Sequence, residues 1–97
     1  MYKIFYHPLV WEEDFSRLAK VAIQRIIHDI VKKLSHNPEL YGKPLRFELK
    51  GYFKLRIGEY RVIYRIDKKI VQVFVVKVGF RRNMEAYIQA TKRLHKK

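Results

Sequence analysis

Tyr2, Ile4 and Tyr6 alternate with Lys3 and Phe5, the period of a short strand, and His7-Pro8 stops it. Pro8 suits the first turn of a helix, and Glu12, Glu13 and Asp14 follow where carboxylates favour the positive end of the helix dipole. A first helix is expected through about Leu18. From Ile23 the spacing changes to three and four: Ile26, Ile27, Ile30, Val31 and Leu34 form one stripe until Asn37-Pro38 ends it. The two helices are expected as an antiparallel hairpin joined near Lys20.

Beyond the loop Tyr41-Gly42-Lys43-Pro44 the period returns to two. Phe53, Leu55 and Ile57 alternate with Tyr52, Lys54 and Arg56, Gly58-Glu59 supplies a two-residue turn, and Tyr60, Val62 and Tyr64 alternate with Arg61, Ile63 and Arg65. The turn sets the register: Ile57 opposite Tyr60, Arg56 opposite Arg61, Leu55 opposite Val62 and Lys54 opposite Ile63. One face then carries the apolar set, to be covered by helices, and the other carries Lys54, Arg56, Arg61 and Arg65 with Tyr52 and Ile63.

Asp67-Lys68-Lys69 makes a second turn, and Ile70 to Val78 reads as a nearly continuous apolar strand that Gly79 breaks. From about Asn83, the positions Met84, Tyr87, Ile88, Thr91 and Leu94 fit one face of a short C-terminal helix ending in a basic tail, Lys96-Lys97. The fold expected is α+β: a small, mostly antiparallel four-stranded sheet, the N-terminal helical hairpin on one face and a basic concave face opposite, the first strand pairing parallel to a later one. Ninety-seven residues with 48% hydrophobic content suit one domain, residues 1–97. No apolar run approaches the roughly 20 residues of a membrane span, so a soluble cytoplasmic protein without a membrane partner is expected. The absence of cysteine removes disulfides, thiol catalysis and thiolate metal sites.

Charge changes the picture most. The formal net charge is +13, and residues 1–42 hold 6 Lys+Arg against 5 Asp+Glu while residues 43–97 hold 16 against 4. A solubilising surface would spread its charge; one confined to half the chain calls for a polyanionic partner. Arg56 facing Arg61 is unfavourable for folding, and guanidinium forks match phosphate oxygens. Tyr52 and Phe80 offer rings for unpaired bases, and Arg81 and Arg82 add cations at the exit of the last strand. Fixed guanidinium groups such as Arg61 and Arg81 suit the charge that gathers in phosphoryl transfer. Arginine is a poor proton acceptor, whereas lysine among like charges gives up its proton more readily, which makes Lys54 the candidate base.

Lys54-Leu55-Arg56, Tyr60-Arg61-Val62-Ile63-Tyr64, Val78-Gly79-Phe80-Arg81 and Glu85-Ala86-Tyr87 together resemble the C-terminal half of the RelE toxins of bacterial and archaeal toxin-antitoxin modules. The order of elements is similar along essentially the whole chain. The resemblance implies ribosome-dependent cleavage of messenger RNA by attack of the 2′-hydroxyl on the adjacent phosphate. It implies Lys54, Arg61, Arg81 and Tyr87 as catalytic residues, with Arg56 in support; Tyr52, Arg56, Arg65, Phe80 and Arg82 are the residues expected to bind RNA, and no cofactor or metal is expected. Its implied partners are mRNA in the ribosome and an acidic or amphipathic antitoxin, with operator DNA reached only through the antitoxin complex. The chain departs from the pattern at Tyr52, where studied members carry a second lysine; either Lys54 alone serves as base, or the reaction is slower or different.

Competing readings carry less. His7, His28, His36 and His95 show no paired ligand spacing, and Trp11 reads as a packing residue rather than a stacking platform. A divalent-metal nuclease would need more carboxylates than Glu48, Glu59, Asp67 and Glu85 in the basic half. Two alternatives remain: a ParE-like toxin of the same fold acting on DNA gyrase through protein contacts, against which the joint presence of Lys54, Arg61, Arg81 and Tyr87 argues, and an RNA-binding module without chemistry.

Overall fold

The structure, a computed structural model, describes residues 1–82 and 84–95. Strand β1 (Lys3–Tyr6) is followed by a π-helical turn (Val10–Asp14) and a 3-10 turn (Phe15–Arg17), then α1 (Lys20–Leu34), α2 (Pro38–Tyr41), β2 (Lys43–Pro44) and a second 3-10 turn (Phe47–Leu49). Strands β3 (Tyr52–Ile57), β4 (Tyr60–Asp67) and β5 (Gln72–Phe80) and helix α3 (Glu85–His95) complete the chain. The sheet has five strands in the order β1-β5-β4-β3-β2, with β1 parallel to β5 and the other pairs antiparallel. The fifth strand, beyond the four expected, is β2, which adds Lys43 opposite Lys54 and Pro44 opposite Phe53. Two residues, one of them a proline, leave no alternation by which to see a strand.

The β3–β4 register agrees with the expectation from the turn: Ile57 faces Tyr60, Arg56 faces Arg61, Leu55 faces Val62 and Lys54 faces Ile63. Gly58 has φ +57, a conformation the missing side chain makes accessible at the start of the turn. Leu55, Ile57, Val62, Tyr64, Val73, Val75 and Val78 pack against Ile26, Ile30 and Leu34 of α1 and Val10 and Phe15 of the N-terminal turns, forming the main core. The first helix of the hairpin is a wide π-helical turn followed by a tight 3-10 turn ending at Arg17, and the join to α1 is Leu18-Ala19, close to the expected Lys20.

Three expectations change on the opposite face. Gly79 does not break β5; it pairs with Arg61 inside the strand. A Cβ there would lie 3.2 Å from the Cβ of Ala86, so the glycine lets α3 settle closely on the sheet. The buried side of α3 is accordingly Ala86, Ala90 and Arg93, while Met84 and Ile88, expected on the apolar face, are exposed. Small residues, not large ones, set this contact. The face expected to be basic throughout therefore holds a second core of Leu49, Ile63, Val76, Ala86 and Ala90, with Tyr52, Tyr87 and Leu94 packed at its margin. Ile70 and Val71 belong to the turn before β5, where Val71 takes φ +54. The expected helix start at Asn83 and the basic tail Lys96-Lys97 lie outside the described residues.

Candidate active site

Cross-strand pairing concentrates cations at one end of the sheet. Arg56 opposes Arg61, and Lys43 of β2 opposes Lys54 of β3, two like-charge pairs on adjacent strands. Such pairs oppose folding, so their coincidence marks a place arranged for an anion. Arg81 follows β5, where its backbone N–H donates to the Glu59 carbonyl at 3.0 Å and ties the exit of the strand to the β3–β4 turn. Its guanidinium lies 3.7 Å from the Glu59 carboxylate, and its Nε is buried with no hydrogen-bond partner among the described residues. A buried donor in that state is ready for an acceptor.

Tyr87 of α3 reaches the same group of side chains. The Arg61 guanidinium sits 4.4 Å from the centre of the Tyr87 ring, and the Lys54 ammonium 5.9 Å from it. A cation over an aromatic face is held in place by attraction to the ring's electron-rich face. Of the four residues taken as catalytic, Lys54 of β3, Arg61 of β4 and Tyr87 of α3 thus converge, and Arg81, just past β5, lines the same cleft as Lys54 and Arg61.

A cleft of about 370 Å³ runs beside them, lined by Lys33, Tyr41, Lys43, Lys54, Leu55, Arg56, Arg61 and Arg81. Six of these eight are cations and none is a carboxylate. Lys33, Tyr41 and Lys43 were not among the residues singled out from sequence. Their signal was structural: the Tyr64 hydroxyl donates to the Pro38 carbonyl at 2.5 Å, and a Cβ on Gly42 would meet that same hydroxyl at 1.8 Å. Tyr64, fully buried and stacked on Phe53, therefore fixes the segment that presents Tyr41 and Lys43. Burial in apolar surroundings raises the Tyr64 phenol well above its ordinary value, keeping it a donor.

Other residues expected to bind RNA lie elsewhere. Tyr52 packs at the margin of the second core. Arg65 stacks 4.2 Å over Phe74, which is itself stacked on Phe5, and so belongs to the far end of the sheet. Phe80 packs against Tyr60 and borders a separate, smaller pocket beside Asp14 and Gln89. Arg82, largely exposed, lies 3.7 Å from Glu59 at the rim.

A second ionic cluster is buried. Asp14 accepts from Lys77 Nζ at 2.6 Å, from the Val78 amide at 2.8 Å and from both terminal nitrogens of Arg93 at 2.8 and 2.7 Å. Arg93 also donates to the Val76 carbonyl and to Glu13, and Lys77 to Gln89. The acidic run at 12–14, read as dipole capping, therefore does something else at Asp14: no side-chain cap forms at that turn, and the carboxylate joins β5 to α3. Burial works against the Arg93 charge, yet the hydrogen bonds and proximity of Asp14 and Glu13 raise its pKa above the ordinary arginine value.

The architecture is thus a small α+β fold: a five-stranded mixed sheet with α1 on one face, α3 on the other and a cationic cleft at one end. Residues 4–84 match the family described as the ParE toxin of the type II toxin-antitoxin system. The chain is 35% identical over 71 residues to toxin RelG of Mycobacterium tuberculosis, covering 73% of this chain and 82% of that one. It is 33% identical over 84 residues to the mRNA interferase toxin RelE of Escherichia coli, covering 84% and 86%. The crystal structure of the toxin-antitoxin complex RelBE2 from Mycobacterium tuberculosis contains a chain similar to it with TM-score 0.77 and 32% identity, over 84% of this chain and 93% of that one. The chain belongs to this family and is a RelE-like toxin of the RelE/ParE superfamily.

Proposed function

We propose that this toxin is a metal-independent endoribonuclease that cuts messenger RNA in the ribosome and so stops translation. The observation that carries the reading is the meeting of Lys54, Arg61 and Tyr87, with Arg81 across the same cation-lined cleft. The similarity to an mRNA interferase over most of the chain supports it.

In the proposed reaction the 2′-oxygen attacks the adjacent phosphorus while Lys54 accepts its proton. The bond from phosphorus to the 5′-oxygen of the next nucleotide breaks, that oxygen takes a proton, and the ends are a 2′,3′-cyclic phosphate and a 5′-hydroxyl. Arg61 and Arg81 stabilise charge on the non-bridging oxygens, where fixed donors in a partly dry site act strongly. Tyr87 holds the Arg61 guanidinium against its ring, and Arg56 contributes charge at the mouth. The ribosome supplies what a shallow cleft lacks, a strand already fixed in geometry for in-line attack. An antitoxin with an acidic or amphipathic segment is the proposed partner that restrains the activity; that a similar chain is found in a toxin-antitoxin complex supports such a partner.

Primer extension on mRNA incubated with the protein, with and without translating ribosomes, tests this. Cuts that need ribosomes and vanish in an Arg61→Ala, Arg81→Ala double variant are the expected result. Absence of cuts with the wild-type protein would move the reading to a gyrase-directed toxin or an RNA-binding module.

A further inference from the structure

The cleft extends past the converging catalytic group. Lys33 of α1, Tyr41 at the end of α2 and Lys43 of β2 line it as well. Tyr41 is 46% exposed and contributes to neither core. The Lys33 ammonium is 5.9 Å from its ring centre, and Lys43 stands opposite Lys54 across the β2–β3 pair. Nothing about folding favours this group: Lys43 opposite Lys54 is repulsive, and an exposed aromatic beside two lysines gains little by burial. Yet its backbone is pinned, through the Tyr64 bond to Pro38 and the close approach of Tyr64 to Gly42. A rigidly presented ring flanked by cations matches a nucleobase with its phosphate.

We infer that Lys33, Tyr41 and Lys43 form a seat for the nucleotide flanking the scissile one, its base on the Tyr41 ring and its phosphate held by the two ammonium groups. This rests on the proposed RNA-directed reading and assigns it three positioning residues. They act by fixing the strand, so their loss falls on binding before it falls on the chemical step.

The experiment uses a short single-stranded RNA, 2′-O-methylated throughout so that it cannot be cut and carrying 2-aminopurine, whose fluorescence is quenched by stacking. The wild-type protein and Tyr41→Phe are expected to bind and quench alike, whereas Tyr41→Leu loses the quenching and binds about tenfold more weakly, within the range for one base stacked on an aromatic ring. A Lys33→Gln, Lys43→Gln double variant should flatten the dependence of log affinity on log salt by about 0.7, the contribution of the one phosphate the two ammonium groups hold. Lys32→Gln, exposed on α1 and outside the cleft lining, controls for loss of charge alone. Wild-type quenching and affinity in Tyr41→Leu would overturn the inference, as would a double variant no different from Lys32→Gln in its salt response. Affinity that depends on the lysines without Tyr41-dependent quenching would also overturn it and assign the cleft to polyanions in general, acidic peptides included. Because the probe resists cleavage, the result stands apart from primer extension: Tyr41-dependent stacking in a protein that cuts no RNA would sink the nuclease and keep the seat.

Discussion

Two groups of cations lie on the same sheet and meet opposite fates. Lys77 and Arg93 are buried, and Asp14 accepts hydrogen bonds from both. Lys33, Lys43, Lys54, Arg56, Arg61 and Arg81 line a cleft with no carboxylate among its described lining residues, Arg81 lying 3.7 Å from Glu59 beside it. The first group is completed within the chain and holds α3 to β5. The second is kept close by the backbone pairing of β2, β3 and β4 despite its repulsion. The contrast teaches that net charge locates neither group: a basic residue reports a ligand only once the residues facing it are known.

The largest effect that could break this contrast is expected at Asp14. Asp14→Ala would leave buried Lys77 without its carboxylate and Arg93 with Glu13 as its remaining carboxylate partner, and should lower unfolding stability by about 3–5 kcal/mol, measured by urea denaturation. Stability close to wild type would mean that the buried group is not held as described. Next come Arg61→Ala and Arg81→Ala, each expected to slow single-turnover cleavage by about 10²–10³-fold, the cost of removing one donor to a developing oxyanion. Their unfolding midpoints should move much less than that of Asp14→Ala; comparable destabilisation would make the cleft structural too. The smallest effect sharpens the comparison by its sign: Arg56→Gln relieves a cross-strand repulsion and should leave stability unchanged or raise it by about 0.2–1 kcal/mol, read in the same urea titration. A clear loss would show that the Arg56–Arg61 pair supports the fold.

The β-hairpin that carries Lys54, Arg56 and Arg61 was legible in the sequence because a period of two and a glycine-led turn fix register locally. Placement of Arg81 and Tyr87 beside them was not legible from period alone and came through the family resemblance. Asp14 meets Lys77 and Arg93 from 63 and 79 residues away, and no local pattern distinguishes it from Glu12 and Glu13. The orientation of α3 was misread because Ala86 and Ala90 carry less hydrophobic weight than Met84 and Ile88, while the decisive partner, Gly79, has no side chain at all. Arg65 and Phe80 shared the basic half with the cleft but not its end of the sheet; sequence neighbourhood could not separate them.

Strand β1 stops at Tyr6, while its neighbour β5 continues to Phe80. The backbone of β5 beyond their pairing would ordinarily be a template on which a strand from another molecule could add. Here the Val75 carbonyl accepts from the His7 amide, the Val76 carbonyl from Arg93, and the Val78 amide donates to Asp14. The carboxylate that anchors α3 thus also blunts a sheet edge, and a chain that lost it would be exposed to self-association as well as to unfolding.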